Sequence, residues 1–321
     1  MDGWWDCVQL DGFFARILRD DIRDKVRPQW PVLLGIAAAR LMNLQSRGRA
    51  FQIGRRHYDV GNGLYAAMLD RRMVYSCAYW KDARTLDEAQ EAKLNLVCRK
   101  LGLREGQSVL DIGCGWGSFA KYTAEKYGVR VVGVTVSREQ TKLAREQCAG
   151  LPVEFRLEDY RDLRGTFNHV VSIGMIKHVG YKNYRTYFET ARRCLSDGGL
   201  FLLQTIGSLR SDVTGDPWIG RYIFPNSMSP SIRQVAAAIE GLFVMEDLHN
   251  FGADYDRTLM AWHANFETAW PELKEHYDER FHRMWRYYLL ACAGAFRARC
   301  NQLWQIVLSK RGNEGGYLAV R

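Results

Sequence analysis

The stretch Val109-Leu-Asp-Ile-Gly-Cys-Gly-Trp-Gly-Ser118 decides the fold. Its first four residues read as a buried strand. Gly113, Gly115 and Gly117 follow as Gly-x-Gly-x-Gly, and Phe119-Ala-Lys-Tyr-Thr-Ala-Glu-Lys126 then reads as a helix. Strand, glycine turn, helix is how an open α/β sheet holds an adenosine-containing cofactor, because glycine lets the backbone turn tightly and approach a ligand closely. The spacing is not that of the dinucleotide fingerprint, and an Asp stands two residues before the first glycine. That form suits S-adenosylmethionine (SAM), which has no pyrophosphate to seat on the helix.

Outward from this turn, strands and helices alternate. Further strands are expected at Val129–Val134, Val153–Leu157, His169–Ile173, Leu200–Thr205, Phe243–Asn250 and Leu303–Leu308. Helices are expected at Thr85–Leu101, at Tyr184–Leu195, at Leu259–Trp270 and from Pro271 to about Ala298. The pattern is α/β: a Rossmann-like, seven-stranded SAM-dependent methyltransferase sheet with an N-terminal helical cap. The expected division is a cap over residues 1–82 and a catalytic domain over 83–321. Many nucleoside-binding sheets end the second strand with an acid that grips the ribose. Here Thr135 stands there, with Gln140 on the next helix, so a hydroxyl and an amide are expected in that role. After the third strand, Asp159 is placed to accept from an adenine amino group and Tyr160 to flank the ring; the alternative for Asp159 is a turn cap.

The chain is long enough, at 321 residues, for a large α/β domain plus a smaller cap. Its net charge of +9 suits anionic headgroups, nucleic acid or an anionic substrate, and is also compatible with solubility alone. No nucleic-acid motif accompanies the charge, so nucleic acid is not an expected partner. No run reaches the ~18 apolar residues of a membrane span, and no basic-then-apolar leader is expected. The eight cysteines show neither Cys-x-x-Cys nor paired-His zinc spacing. Reduced thiols in a cytosol, and no metal, are therefore expected.

Residues 1 to about 45 look helical. Trp4, Trp5, Leu10, Phe13, Phe14, Ile17 and Leu18 recur at near-helical spacing, with Arg16, Arg19 and Arg23 between them. This face packs on the main domain or meets a membrane with its arginines at the headgroups. Pro28 and Pro31 break the segment, and a second helix is expected over Leu33–Leu44. Residues 46–82 carry Arg47, Arg49, Arg55, Arg56, His57-Tyr-Asp-Val-Gly-Asn62 and Tyr75-Ser-Cys-Ala-Tyr-Trp80, a composition that suits a segment closing over the cofactor site. The stretch Pro217–Asn226, rich in Pro and aromatics, lacks periodicity and reads as a loop, either a lid or a channel wall.

These motifs together resemble one family. The chain is similar to bacterial cyclopropane fatty acid synthases through Met1-Asp-Gly-Trp-Trp5, His57-Tyr-Asp59, Tyr75-Ser-Cys-Ala-Tyr-Trp80, Leu110–Gly117, Asp159-Tyr-Arg-Asp162 and Thr205-Ile-Gly-Ser208. The likeness continues through Asp216-Pro-Trp218, Tyr222–Asn226, Asn250–Asp256, Leu259-Met-Ala-Trp262 and Ala291–Arg299, and so covers essentially the whole chain. It implies a SAM-dependent enzyme that adds a methylene group across the cis double bond of unsaturated acyl chains in membrane phospholipids. It also implies an anionic membrane surface as partner, a cytoplasmic protein held peripherally at the inner membrane, and a homodimer as an open option. Longer members carry residues before the Met-Asp-Gly-Trp-Trp segment, which leaves the extent of the cap open.

The resemblance assigns SAM to Tyr75, Ser76, Gly113, Gly115, Thr135, Gln140, Asp159 and Tyr160. It also implies a bicarbonate ion beside the transferred methyl, held by Cys77, Ile206 and Tyr255, by a Glu in Gly-Met-Phe-Glu-His and by a His in His-Thr-Ile-Gly. At the last two positions this chain departs. The motifs read Gly174-Met-Ile-Lys-His178 and Gln204-Thr-Ile-Gly207, so Lys177 and Gln204 replace the acid and the histidine, while His178 matches. A protonated lysine cannot accept a hydrogen bond. Lys177 therefore either holds an anion differently, serves as a base when neutral, or turns to solvent with ring closure weakened. Tyr255 and Trp218 are candidates to face a cation on the acyl chain. A methyltransferase acting on another alkene or an amine, and a weakened SAM- or lipid-binding relative, stay open as alternatives.

Overall fold

The computed structural model describes residues 1–20, 30–43, 45, 46, 48 and 61–321. The expectations on Arg23, Pro28, Leu44, Arg47, Arg49, Arg55, Arg56 and His57-Tyr-Asp59 lie outside the described residues. Seven strands form one sheet: β1 (Ser108–Ile112), β2 (Arg130–Thr135), β3 (Val153–Leu157), β4 (His169–Ile173), β5 (Leu200–Ser208), β6 (Val244–Asn250) and β7 (Asn301–Ser309). Their order is β3-β2-β1-β4-β5-β7-β6. The first five run parallel, and β7 is antiparallel to both β5 and β6. Each lies within a few residues of its expected place.

Eleven helices are described, numbered here in chain order: α1 (Leu10–Arg19), α2 (Trp30–Leu41), α3 (Asn62–Met68), α4 (Leu86–Leu101), α5 (Ser118–Tyr127), α6 (Arg138–Gln147), α7 (Tyr184–Cys194), α8 (Pro217–Tyr222), α9 (Ile232–Ile239), α10 (Ala253–Leu273) and α11 (Glu279–Arg297). Alternate β1 side chains face opposite sides of the sheet. Leu110 and Ile112 enter a core shared with Tyr187 and Phe188 of α7 and Val235 of α9. Val109 enters the other core, with Leu94 and Val97 of α4 and Phe119 of α5. α4 starts at a reciprocal capping box between Thr85 and Glu88 and stops at left-handed Gly102.

A third apolar cluster holds Leu64, Tyr65 and Met68 of α3 against Trp262 and Phe266 of α10 and Trp285 of α11. α1 also packs on α11. The described N-terminal helices α1 and α3 thus rest on helices from the far end of the chain.

Four expectations are corrected. Residues 1–9 are not helical, and Trp4 and Trp5 are 91% and 54% exposed; α1 buries only Leu10 and Ala15. The second helix begins at Trp30 rather than Leu33, because Pro31 falls in its first turn, where no backbone N–H is needed. Pro217–Tyr222 is helical, started by Asp216, whose carboxylate accepts from the N–H of Trp218 and Ile219. Pro271 lies inside α10, and the next helix begins only at Glu279 behind an Asp278 cap.

Thr258 ties the Tyr75–Trp80 segment to α10. Its hydroxyl accepts from Ala78 N at 3.1 Å and Trp80 Nε1 at 2.9 Å and donates to Asp254 O at 2.8 Å. The side chain is wholly buried. Thr258→Val keeps the volume but strands two buried donors, so it is expected to cost about 3 kcal/mol. Urea unfolding of the two proteins measures this, and a loss below about 1 kcal/mol would contradict the assigned role.

Candidate cofactor and methyl-transfer site

At the carboxyl ends of β1, β2 and β4 the backbone opens into a cavity of about 200 Å³. The glycine turn forms its floor. Gly113 and Cys114 N–H both donate to Val134 O, at 2.9 and 3.0 Å, which binds the turn to β2. Gly113 has φ +88°, and a Cβ there would sit 2.6 Å from Met175 Cβ. Gly115, at φ +55°, faces open space. All eight residues expected to hold the cofactor line this one cavity: Tyr75, Ser76, Gly113, Gly115, Thr135, Gln140, Asp159 and Tyr160.

Their side chains are already partly engaged. Thr135 Oγ1 donates to Gln140 Oε1 at 2.8 Å, so the Gln140 amide nitrogen is the donor left over. Asp159 caps the turn Tyr160–Asp162, accepting from Arg161 N at 3.0 Å and pairing with Arg161 Nη1 at 3.4 Å. The turn-cap alternative therefore holds for Asp159 as well as cavity lining. The Tyr160 ring packs edge-on against Tyr187 in the main core, with Arg161 over its face. The Tyr75 hydroxyl meets Tyr288 at 2.9 Å.

The six residues expected at the chemistry divide. Lys177 and His178 line the cavity. Cys77, Gln204, Ile206 and Tyr255 stand outside its lining. Gln204 is the clearest departure from expectation: its carbonyl accepts from Gln305 Nε2 at 2.9 Å, and its amide reaches Cys77 O at 3.5 Å. The cause is register, since Gln204 and Gln305 are direct partners across β5 and β7. The Cys77 thiol donates to Ala78 O, and burial, aided by Asp254, pushes it well above its ordinary range, so it stays protonated. Tyr255 stacks on Phe296 with ring centres 4.5 Å apart. Ile206 packs partly buried against the same cluster. Trp218 packs against Tyr287, with ring centres 4.4 Å apart and planes tilted by 51°.

Lys177 does not turn to solvent. Its Nζ lies 3.7 Å from the Phe224 ring centre, and its carbonyl accepts from Met228 N at 2.8 Å. No carboxylate pairs with it among the described residues. Burial lowers the amine from 10.5 to about 8. The His178 ring packs edge-on to the same Phe224, with centres 6.0 Å apart.

Lys93 and Trp116 also line the cavity, and the sequence reading gave neither a role. Lys93 had a usable signal, a charged residue on the apolar side of an amphipathic helix. Trp116 is buried against Tyr65 and donates to Asn62 Oδ1 at 3.2 Å.

A seven-stranded sheet of this order, with its cavity on a glycine turn, defines a SAM-dependent methyltransferase. The family described as mycolic acid cyclopropane synthetase matches residues 45–306, and the chain belongs to that family. It is 57% identical over 321 residues to the cyclopropane-fatty-acyl-phospholipid synthase of Escherichia coli strain K12, covering all of this chain and 84% of that one. Among solved structures it is similar to mycolic acid cyclopropane synthase CmaA1 complexed with SAH and CTAB, at a TM-score of 0.77 and 30% identity, over 84% of this chain and 100% of that one. The cyclopropane synthase MmaA2 from Mycobacterium tuberculosis has the same TM-score and coverage at 28% identity.

The Lys177 shift has a testable sign. Folding lowers its pKa, so below about pH 8 the native state carries a charge in apolar surroundings. Between about 8 and 10.5 the unfolded state holds the extra proton, and stability rises with pH. Lys177→Met is therefore expected to melt higher than the parent at pH 7, with the gain shrinking toward pH 10. Melting temperatures across this range decide it, and a gain independent of pH would count against the buried-charge account.

Proposed function

We infer that this chain transfers a methylene group from SAM to the cis double bond of unsaturated acyl chains in phospholipids, closing a cyclopropane ring. The observation that carries the inference is 57% identity along the entire chain with an enzyme named for that reaction. The cavity that gathers every expected cofactor residue supports it. In this reading residues 1–82 form the cap and 83–321 the catalytic domain. Tyr75, Ser76, Gly113, Gly115, Thr135, Gln140, Asp159 and Tyr160 hold the cofactor; Asp159 retains accepting capacity beyond its bonds to Arg161.

SAM supplies an electrophilic methyl group. The remaining demands fall on the protein. An alkene is a weak nucleophile and must be held close to the methyl, away from water. The Phe224 ring beside Lys177 packs edge-on to Tyr288, with centres 5.8 Å apart, and in this reading offers apolar surface to an acyl chain. The cation that forms on that chain must then lose a proton from the added carbon to close the ring. The residues present do not fit the bicarbonate set implied by resemblance. Gln204 is committed to Gln305, Cys77 to Ala78, and Lys177 replaces a carboxylate. Lys177 is a basic group on the cavity wall at the position of the replaced carboxylate, and its neutral amine is the proton acceptor in this reading. Activity is then expected to rise with pH through about 8 and to be lost in Lys177→Met.

Purified protein supplied with SAM and unsaturated phospholipid vesicles, followed by lipid mass spectrometry, tests the reaction. A gain of one CH2 on unsaturated chains is the expected product, and its absence at every pH would sink the reading. The Gln204–Gln305 pairing favours a second reading, a weakened enzyme. Under it, Lys177→Glu with Gln204→His raises ring formation at pH 7; if Lys177 is the base, the pair gives no pH step near 8.

Among the described residues no helix is long and apolar enough to cross a membrane. Peripheral contact with an anionic membrane at the cytoplasmic face is supported by the +9 charge and by Trp4, Trp5 and Val8, which are 91%, 54% and 95% exposed. Trp4→Ser with Trp5→Ser is expected to reduce co-sedimentation with anionic phospholipid vesicles while leaving thermal stability unchanged. Equal sedimentation would argue against this surface.

A further inference from the structure

Val74-Tyr-Ser76 belongs to no strand, so its carbonyls need other partners. They find them on α4. Gln90 Nε2 donates to Val74 O at 3.1 Å and to Ser76 O at 2.9 Å. One helical turn on, Lys93 Nζ donates to Ser76 Oγ at 3.1 Å. Gln90 and Lys93 are both 0% exposed.

Lys93 lines the cofactor cavity beside Ser76 and Asp111. Among the described residues Ser76 is its one hydrogen-bond partner, which leaves two of the ammonium's three N–H groups unspent. A buried donor without an acceptor is costly, and a buried cation more so. Ser76 is constrained in turn. Its oxygen accepts from the cation, so its own hydrogen is left to donate, and no protein acceptor for it is found among the described residues. Asp70 and Asp111 attract Lys93 but do not settle these donors. Burial pulls Lys93 down to about 8 and pushes Asp111 up to about 7.

Unspent N–H and O–H donors beside a cation suit an anionic acceptor. The cofactor has one such group, the carboxylate of its methionyl part. We propose that Lys93 is a positioning residue for this carboxylate, acting through Ser76, whose hydroxyl it orients toward the ligand while its charge favours an anion there. The proposal rests on the reading that this cavity takes SAM. It assigns Lys93 no contact with the adenosine end.

Two ligands separate this role from a structural one. S-adenosylhomocysteine carries the carboxylate, whereas 5′-methylthioadenosine has the same adenosine and thioether without the amino-acid group. Calorimetry on the full chain is expected to show Lys93→Met weakening S-adenosylhomocysteine by roughly tenfold or more, with methylthioadenosine changed by less than about twofold. Ser76→Ala combined with Lys93→Met should lose little beyond Ser76→Ala alone, because the two act as one unit. Lys93→Gln keeps a donor for Ser76 without the charge, and stands in if the methionine variant does not fold; the same selective loss is expected, smaller in size. Equal weakening of both ligands, or of neither, overturns the proposal. If the parent protein binds neither ligand, the assignment of the cavity to SAM falls first and the proposal falls with it.

Discussion

The close approach at Gly113 is the constraint on which the rest of the site depends. One carbonyl, Val134 O, accepts from two successive N–H groups of the turn, and Met175 packs where a Cβ on Gly113 would have to go. This contact joins three strands at their carboxyl ends: β1 through the turn, β2 through Val134 and β4 through the loop that carries Met175. The Lys177 and His178 backbone follows directly from that loop. The distance between the glycine turn and the Lys177–His178 segment is therefore set by packing against a residue with no side chain.

Gln204 and Lys177, the two positions read as departures from the resemblance, have different structural surroundings. Gln204 is absorbed into the sheet, because its antiparallel partner Gln305 donates to its carbonyl while its own amide turns to Cys77 O. Lys177 finds no such partner. Its ammonium rests on the face of Phe224, an attraction worth roughly 0.5–2 kcal/mol, and burial opposes its charge. One position has become structural, and the other remains a titratable group on the cavity wall.

The central strands β1, β2, β4 and β5 were legible because parallel strands buried on both faces read as short apolar runs between turn residues. The residues expected to hold the cofactor, Tyr75 and Ser76 apart, were legible for a related reason: they lie at or after strand ends, and strand ends meet at one edge of the sheet. The misread segments were those whose local signals compete. Asp216-Pro217 is a helix start, yet the Pro and aromatic content around it reads as loop. Pro271 reads as a beginning, but it sits near the end of α10, where Phe266 and Leu273 are buried and packing outweighs one lost hydrogen bond. Lys93 was visible as a charge on an apolar helix face, but its partner Ser76 lies on a different segment and no spacing rule joins them.

The sequence by itself determined the fold, the glycine turn and the family, since these rest on short-range strand and helix patterns and on a motif whose glycines have a steric reason. Tertiary structure alone decided which side chains are available for chemistry. Whether Gln204 is spent, whether Lys177 carries a charge, and whether Lys93 keeps unspent donors all depend on groups that arrive from elsewhere in the chain, because hydrogen bonding and desolvation are set by neighbours in space.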